Sequence, residues 1–282
     1  MPRILCALFL ASAAIAAQQD LPSPELAWVD RAGATTRLGR LPAGSFAPRL
    51  SPDGRRVAFD TFDGTVWIAD LASIGTARRV GPGRFPIWSP DGAQLLFSGA
   101  DGTRLFSQAT EGLVPAELIT DAARAPESWS ARLALVSYLT LKDGGDYDIW
   151  TFSPRDKTLR PLVATPGSAE LSSQFSPDGR WLAYQANDSG THEVYVEPFP
   201  RTGVRIRVST AGGQHPVWGP DGREIFFDRD QTINAASFNA AASPQTVAGK
   251  PVTLPVSGFV QGTGRRLWDL APDGARFLVL FR

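Results

Sequence analysis

The stretch Ile87-Trp88-Ser89-Pro90-Asp91-Gly92-Ala93-Gln94-Leu95-Leu96-Phe97 decides the fold. An apolar pair enters a four-residue turn and an apolar run leaves it. Proline at the second turn position presets φ near about −65°. Asp91 tolerates the third position, and its carboxylate can bond back to the local backbone. Gly92 takes the next position at positive φ, where a Cβ would clash. A type I turn closed by glycine joins two antiparallel strands as a hairpin. The same turn occurs at Ser51-Pro52-Asp53-Gly54, Ser176-Pro177-Asp178-Gly179, Gly219-Pro220-Asp221-Gly222 and Ala271-Pro272-Asp273-Gly274.

Successive turns start 38, 87, 43 and 52 residues apart. The 87-residue gap is about twice the others, so a decayed copy is expected inside it. Ser128-Trp129-Ser130-Ala131-Arg132 keeps the tryptophan but not Pro-Asp-Gly, and a strand is expected from Leu133 to Tyr138. The total is six units of about 44 residues, the length of a four-stranded propeller blade. A second hairpin in each unit supplies the other two strands, as at Asp63-Gly64-Thr65-Val66-Trp67, Gly144-Gly145-Asp146-Tyr147-Asp148-Ile149-Trp150 and Ser189-Gly190-Thr191. The last unit stops at Arg282 with two strands only. Residues Glu25 to Leu38, with a turn at Asp30-Arg31-Ala32-Gly33, supply its missing outer hairpin. The expected fold is an all-β, six-bladed propeller closed by its N-terminal hairpin, which hides the open sheet edges.

Arg3, the apolar run Ile4 to Ala17 and the small-x-small pattern Ala14-Ile15-Ala16 read as a secretory signal over residues 1–17. The run is too short for a bilayer of roughly 30 Å, which needs about 20 residues. A single propeller domain over residues 18–282, periplasmic or secreted and without a membrane span after cleavage, is expected. Its only cysteine, Cys6, leaves with the signal, so disulfides and thiolate metal sites are not expected. The formal net charge is zero, from 28 basic and 28 acidic residues. That balance argues against nucleic acid as a partner.

The Trp-Ser-Pro-Asp-Gly units resemble those of the TolB-like propeller family, over nearly all of residues 25–282. Val194-Tyr195-Val196-Glu197-Pro198-Phe199-Pro200, Gly249-Lys250-Pro251-Val252-Thr253-Leu254 and Trp268 to Phe277 resemble the C-terminal propellers of bacterial serine/threonine kinases. No kinase motif accompanies them here. The short segment between the signal and the first strand also leaves no room for the N-terminal α/β domain of TolB. The resemblance implies a binding module in the cell envelope, with a protein or peptide partner.

Chemistry is sparse along the chain. There is no Gly-x-Ser-x-Gly elbow and no phosphate loop before Gly249-Lys250. Two histidines on different units, His192 and His215, exclude a His-rich metal site. Asp143, Asp146 and Asp148 could form a calcium loop, but a solvated hairpin turn explains them as well. No metal and no cofactor are therefore expected. The residues just before each inner strand should ring the mouth of the central channel. They are Phe46-Ala47, Arg84-Phe85, Arg124-Ala125, Leu171-Ser172, Gln214-His215 and Arg266-Leu267. Arg84, Arg124, Gln214, His215 and Arg266 are the candidate ligand-binding residues, suited to a carboxylate, phosphate or acidic peptide. No catalytic residue is assigned. If the protein were instead a hydrolase or lyase acting at the mouth, Glu127 and Asp269 would be its first candidates. The tryptophans Trp67, Trp88, Trp129, Trp150, Trp181 and Trp218 fall where blades pack face to face, and are expected in the core.

Overall fold

A computed structural model describes residues 22–112, 114–121, 125–142, 145–242, 247–260 and 264–282. The expected signal segment lies outside the described residues. The chain forms six antiparallel four-stranded sheets. In the first five blades the strands run in sequence order from the channel outward, over residues 45–82, 84–120, 125–163, 170–207 and 214–257. The sixth takes its inner strands, Trp268–Leu270 and Arg276–Phe281, from the C-terminus. Its outer strands, Glu25–Asp30 and Thr35–Arg40, come from the N-terminus. Leu26 lies opposite Leu280 and Trp28 opposite Leu278. The ring is closed as the sequence predicts.

Most of the core lies between blades. Ala58, Val66 and Ile68 of the first blade meet Trp88, Leu95 and Phe97 of the second. Ala183, Val194 and Val196 of the fourth meet Trp218, Ile225 and Phe227 of the fifth. Leu278, Leu280 and Leu26 of the sixth meet Leu50, Val57 and Phe59 of the first. Each blade alternates residues to its two faces, so it is buried only when both neighbours are in place. Trp88 and Trp218 are buried in these seams. Trp67, Trp129, Trp150 and Trp181 are only partly buried, and pack against the clusters from the side.

The repeated turns do more than reverse the chain. In five of them the glycine sits at φ between 68° and 70°. The aspartate accepts the amide two residues on, at 2.8–3.1 Å. In three, a serine hydroxyl also donates to that carboxylate, and Asp53, Asp91 and Asp178 are held below the usual carboxylate range. The turns also stack on one another around the ring. A Cβ on Gly274 would lie 2.9 Å from Pro220 of the preceding blade, and one on Gly54 3.2 Å from Pro272. Gly92 meets Pro52 and Gly222 meets Pro177 in the same way, at 3.6 and 3.8 Å. So proline and glycine are each needed twice, once for the turn and once for the neighbour.

The third blade breaks this ring. Ser130 keeps its place, and its hydroxyl accepts the Leu133 amide at 3.3 Å. With no glycine in the turn, the left-handed position falls to Ala134, at φ 52°. The next strand therefore starts at Leu135 and runs to Leu141, two residues later than the sequence suggests.

Two stability predictions follow from these contacts. Trp88→Ala should lower the unfolding free energy by about 3–5 kcal/mol, read from urea melts. Gly274→Ala and Gly102→Ala both place alanine at a left-handed φ. Only the first meets a proline ring; the second meets nothing within 4 Å. Gly274→Ala should be the more destabilising by about 1–3 kcal/mol. Equal costs would show that turn stacking contributes nothing.

Candidate functional site

The inner strands line the channel, and four of them begin with the same distortion. Ala47, Phe85, Ser172 and His215 occupy left-handed backbone, at φ 47°, 57°, 56° and 53°. The ladder shifts register across each of them, between Phe46 and Arg49, Arg84 and Ile87, Leu171 and Gln174, and Gln214 and Val217. These are β-bulges, which re-aim the residues around them. Non-glycine residues in this region cost about 1–3 kcal/mol each and concentrate where a site is built.

Side chains next to the bulges bind the next blade. The Glu127 carboxylate accepts the amides of Ser172 and Ser173 and the Ser173 hydroxyl. Gln174 Oε1 accepts the Trp218 amide at 2.6 Å, and Gln185 Oε1 the His215 amide at 2.8 Å. Asp269 Oδ2 accepts the Leu50 amide at 2.8 Å, and Trp88 Nε1 donates to the Arg49 carbonyl at 2.8 Å. Bulged backbone leaves amides unpaired in the ladder, and the neighbouring blade satisfies them.

Two hollows share this waist. At the strand-start end a cavity of about 80 Å³ is lined by Ala47, Arg49, Phe85, Glu127, Ser172, His215, Arg265 and Arg266, among others. That is room for a few waters or one side-chain head group, and too little for a sugar chain. At the turn end a wider funnel of about 420 Å³ opens between Pro52, Pro90 and Pro177. Arg49, Glu127, Gln174 and Arg266 face both.

Of the candidates from sequence, His215 and Arg266 come together around the cavity. Arg84 instead donates to the carbonyls of Phe62 and Ala100, at 3.0 and 3.2 Å, outside the lining. Gln214 is half-buried at the start of its strand and is not among the lining residues. Arg124 lies outside the described residues. Arg49 and Arg265 also line the cavity, although neither falls at a mouth position in the repeat. Arg49 sits two residues beyond the expected mouth position, and the bulge turns it into the channel. Arg265 reaches the channel from the approach to the sixth blade, beside Arg266.

The charges there are nearly but not fully matched. Arg265 pairs with fully buried Asp60 at 3.0 Å and stacks on the Phe85 ring at 3.8 Å. Burial raises Asp60, against the pull of Arg265. Arg266 Nη2 pairs with Asp269 at 3.1 Å, but its Nε is buried without a partner. Arg49 makes no ion pair among the described residues; its Nη1 donates to the carbonyls of Pro48 and Arg266, at 2.8 and 3.1 Å. Burial first, and then neighbouring Arg266, lowers Arg49 to about 9, so it stays cationic at neutral pH. Burial lifts Glu127 to about 7, against its bonds from Ser173 and Ser172. His215 Nδ1 lies 2.9 Å from Asp228 Oδ1, which also accepts Trp268 Nε1 at 3.0 Å. That assigns the Nδ1 proton to the Asp228 bond and leaves Nε2 buried with no partner.

Glu127 and Asp269 both lie at the waist, but each is occupied with backbone amides of the next blade. For the acidic hairpin loop, Asp148 lies 2.7 Å from Lys142 Nζ, and Asp143 is outside the described residues. Among the described residues no group of three His, Cys, Asp or Glu is placed to hold a metal ion. Nor is any helix there long and apolar enough to cross a membrane.

No family model matches the chain. A curated TolB homolog from Chlorobium luteolum is 28% identical over 115 residues, covering 39% of this chain and 25% of that protein. The match thus spans a quarter of that relative's length. Among solved structures, a putative TolB from Agrobacterium tumefaciens superposes with a TM-score of 0.72 at 18% identity, over 92% of this chain and 98% of that one. TolB from Acinetobacter baumannii gives 0.60 at 15% identity, over 96% and 68%. An oligogalacturonate lyase in complex with manganese gives 0.54 at 15% identity, over 93% and 97%. In fold, the chain is a TolB-like six-bladed β-propeller.

Proposed function

We propose that this chain is an exported, non-enzymatic binding module of the cell envelope, periplasmic or secreted. Residues 1–17 would be its signal peptide and 18–282 its single propeller domain. Its channel mouth takes a carboxylate from a protein or peptide partner, with His215 and Arg266 joined by Arg49. One observation carries this reading. Among the described residues, the cavity holds a cationic Arg49 with no ion pair, beside a buried donor with no partner, Arg266 Nε, and with His215 in its wall. A carboxylate could accept from both guanidinium groups, the strong charge-assisted kind of hydrogen bond. The cavity volume suits one such group, presented by a chain that enters through the mouth.

A hydrolase or lyase acting at the mouth is the alternative, and the lyase neighbour shares the fold. The use of Glu127 and Asp269 as backbone acceptors weighs against it, because their oxygens hold amides of the next blade.

Capture from envelope extract on the immobilised mature chain tests the binding reading. The wild type should retain a protein that Arg49→Gln loses, while both melt at the same temperature within a few degrees. Equal capture by the two would remove the reading. Glu127 supplies a second test, in which its role is structural. Its carboxyl is raised in the folded state, so folding favours the protonated form. Its contribution to stability is therefore fully present below about pH 4.5 and is lost as pH rises through about 7. Glu127→Gln should flatten that slope in thermal melts at pH 5 and pH 8.

A further inference from the structure

A third hollow lies away from the channel, between the third and fourth blades. Its volume is about 620 Å³, within the roughly 300–1,000 Å³ usual for ligand clefts. Leu133, Leu162 and Phe199 contribute apolar surface, and Arg132, Arg155 and Arg160 contribute charge. All three arginines are exposed, and none has an ion pair among the described residues. The one carboxylate in the lining, Asp156, is bonded by the Ser153 hydroxyl.

Three unmatched guanidinium groups thus line one hollow. Several other arginines face an acid. Arg56 meets Glu111 at 2.9 Å, Arg180 meets Asp178 at 2.7 Å, and Arg205 meets Asp188 at 2.7 Å. The hollow coincides with the one broken turn. Where the other five turns carry Asp53, Asp91, Asp178, Asp221 and Asp273, this one carries Arg132. The local charge changes by two at one position of the repeat. Leu133 stands where the glycine is missing, and a Cβ on Gly179 of the next blade would lie 3.1–3.2 Å from its side chain. The lost repeat thus opens a hollow, lines part of it with leucine, and reverses its sign.

We propose that this hollow is a second docking site, for an acidic peptide segment of a partner protein bearing one apolar side chain. The apolar residue would rest on Leu133, Leu162 and Phe199. Flanking Asp or Glu residues would pair with Arg132, Arg155 and Arg160. Planar guanidinium groups match carboxylates in two-point contacts. The site is independent of the channel mouth, so either can fail without the other.

Fluorescence anisotropy tests it, with the full chain and a fluorescein-labelled nonapeptide of Asp and Glu around a central Leu. The wild type should bind, and the Arg155→Glu/Arg160→Glu double variant should bind at least about tenfold more weakly, as expected when attractive rim charges turn repulsive. Arg223→Glu, an exposed turn position on the fifth blade, and Arg49→Gln at the channel mouth should bind as the wild type does. All of these proteins should keep the wild-type melting temperature. Replacing the central Leu of the peptide by Gly should weaken binding to the wild type. Equal binding by the double variant would overturn the proposal. So would arginine-dependent binding of an RNA oligomer or of phosphatidylglycerol vesicles where the peptide shows none.

Discussion

The pairing of Glu25–Asp30 with Arg276–Phe281 is the interaction on which the ring depends. A blade of this protein has two apolar faces and no core of its own. Its faces are covered only by the blades on either side, and the six seams are buried together or not at all. The sixth blade is assembled from both ends of the chain. Without the N-terminal hairpin, Leu278 and Leu280 would lose Leu26, and the first blade would lose part of what covers Val57 and Phe59. The inner pair of C-terminal strands would also expose an unpaired edge. Closure thus converts six weak units into one cooperative body.

The same constraint builds the channel. Bulges at the start of the inner strands free backbone amides, and Glu127, Gln174, Gln185 and Asp269 satisfy them across the seams. Most polar groups at the waist are therefore committed to holding blades together. Among the described residues, Arg49, bonded to carbonyls, and the unpartnered ring and guanidinium nitrogens of His215 and Arg266 are what remains for a ligand. A site made in this way is rigid, since moving any of its members breaks a seam. It also explains how residues that look catalytic in a list, such as Glu127, come to serve as structure.

The fold was legible because its signal is local and repeated. Ser-Pro-Asp-Gly turns carry their own conformational reason, and their spacing counts the blades. The shared last blade followed from the same count. The third unit was placed correctly, but its strand was set two residues early. The left-handed position had moved from a glycine to Ala134, and no propensity marks that move. The site was less legible. Alignment on the turn put Ala47, Phe85, Ser172 and His215 at the strand starts, where the bulges lie, yet a bulge changes which neighbour faces inward. Arg49 was overlooked for that reason, while Arg84 turns aside to bond two carbonyls across a seam. Pairing between blades depends on distances that sequence does not hold.

Native-state hydrogen exchange, read residue by residue, measures the closing interaction directly. If the ring is one cooperative body, the protected amides of residues 25–30 and 276–281 should open with the same free energy as those of Gln94–Ser98, on the far side of the ring. A hairpin whose amides exchange through a lower-energy opening, while the second blade stays protected, would contradict this account. The blades would then stand without the closure.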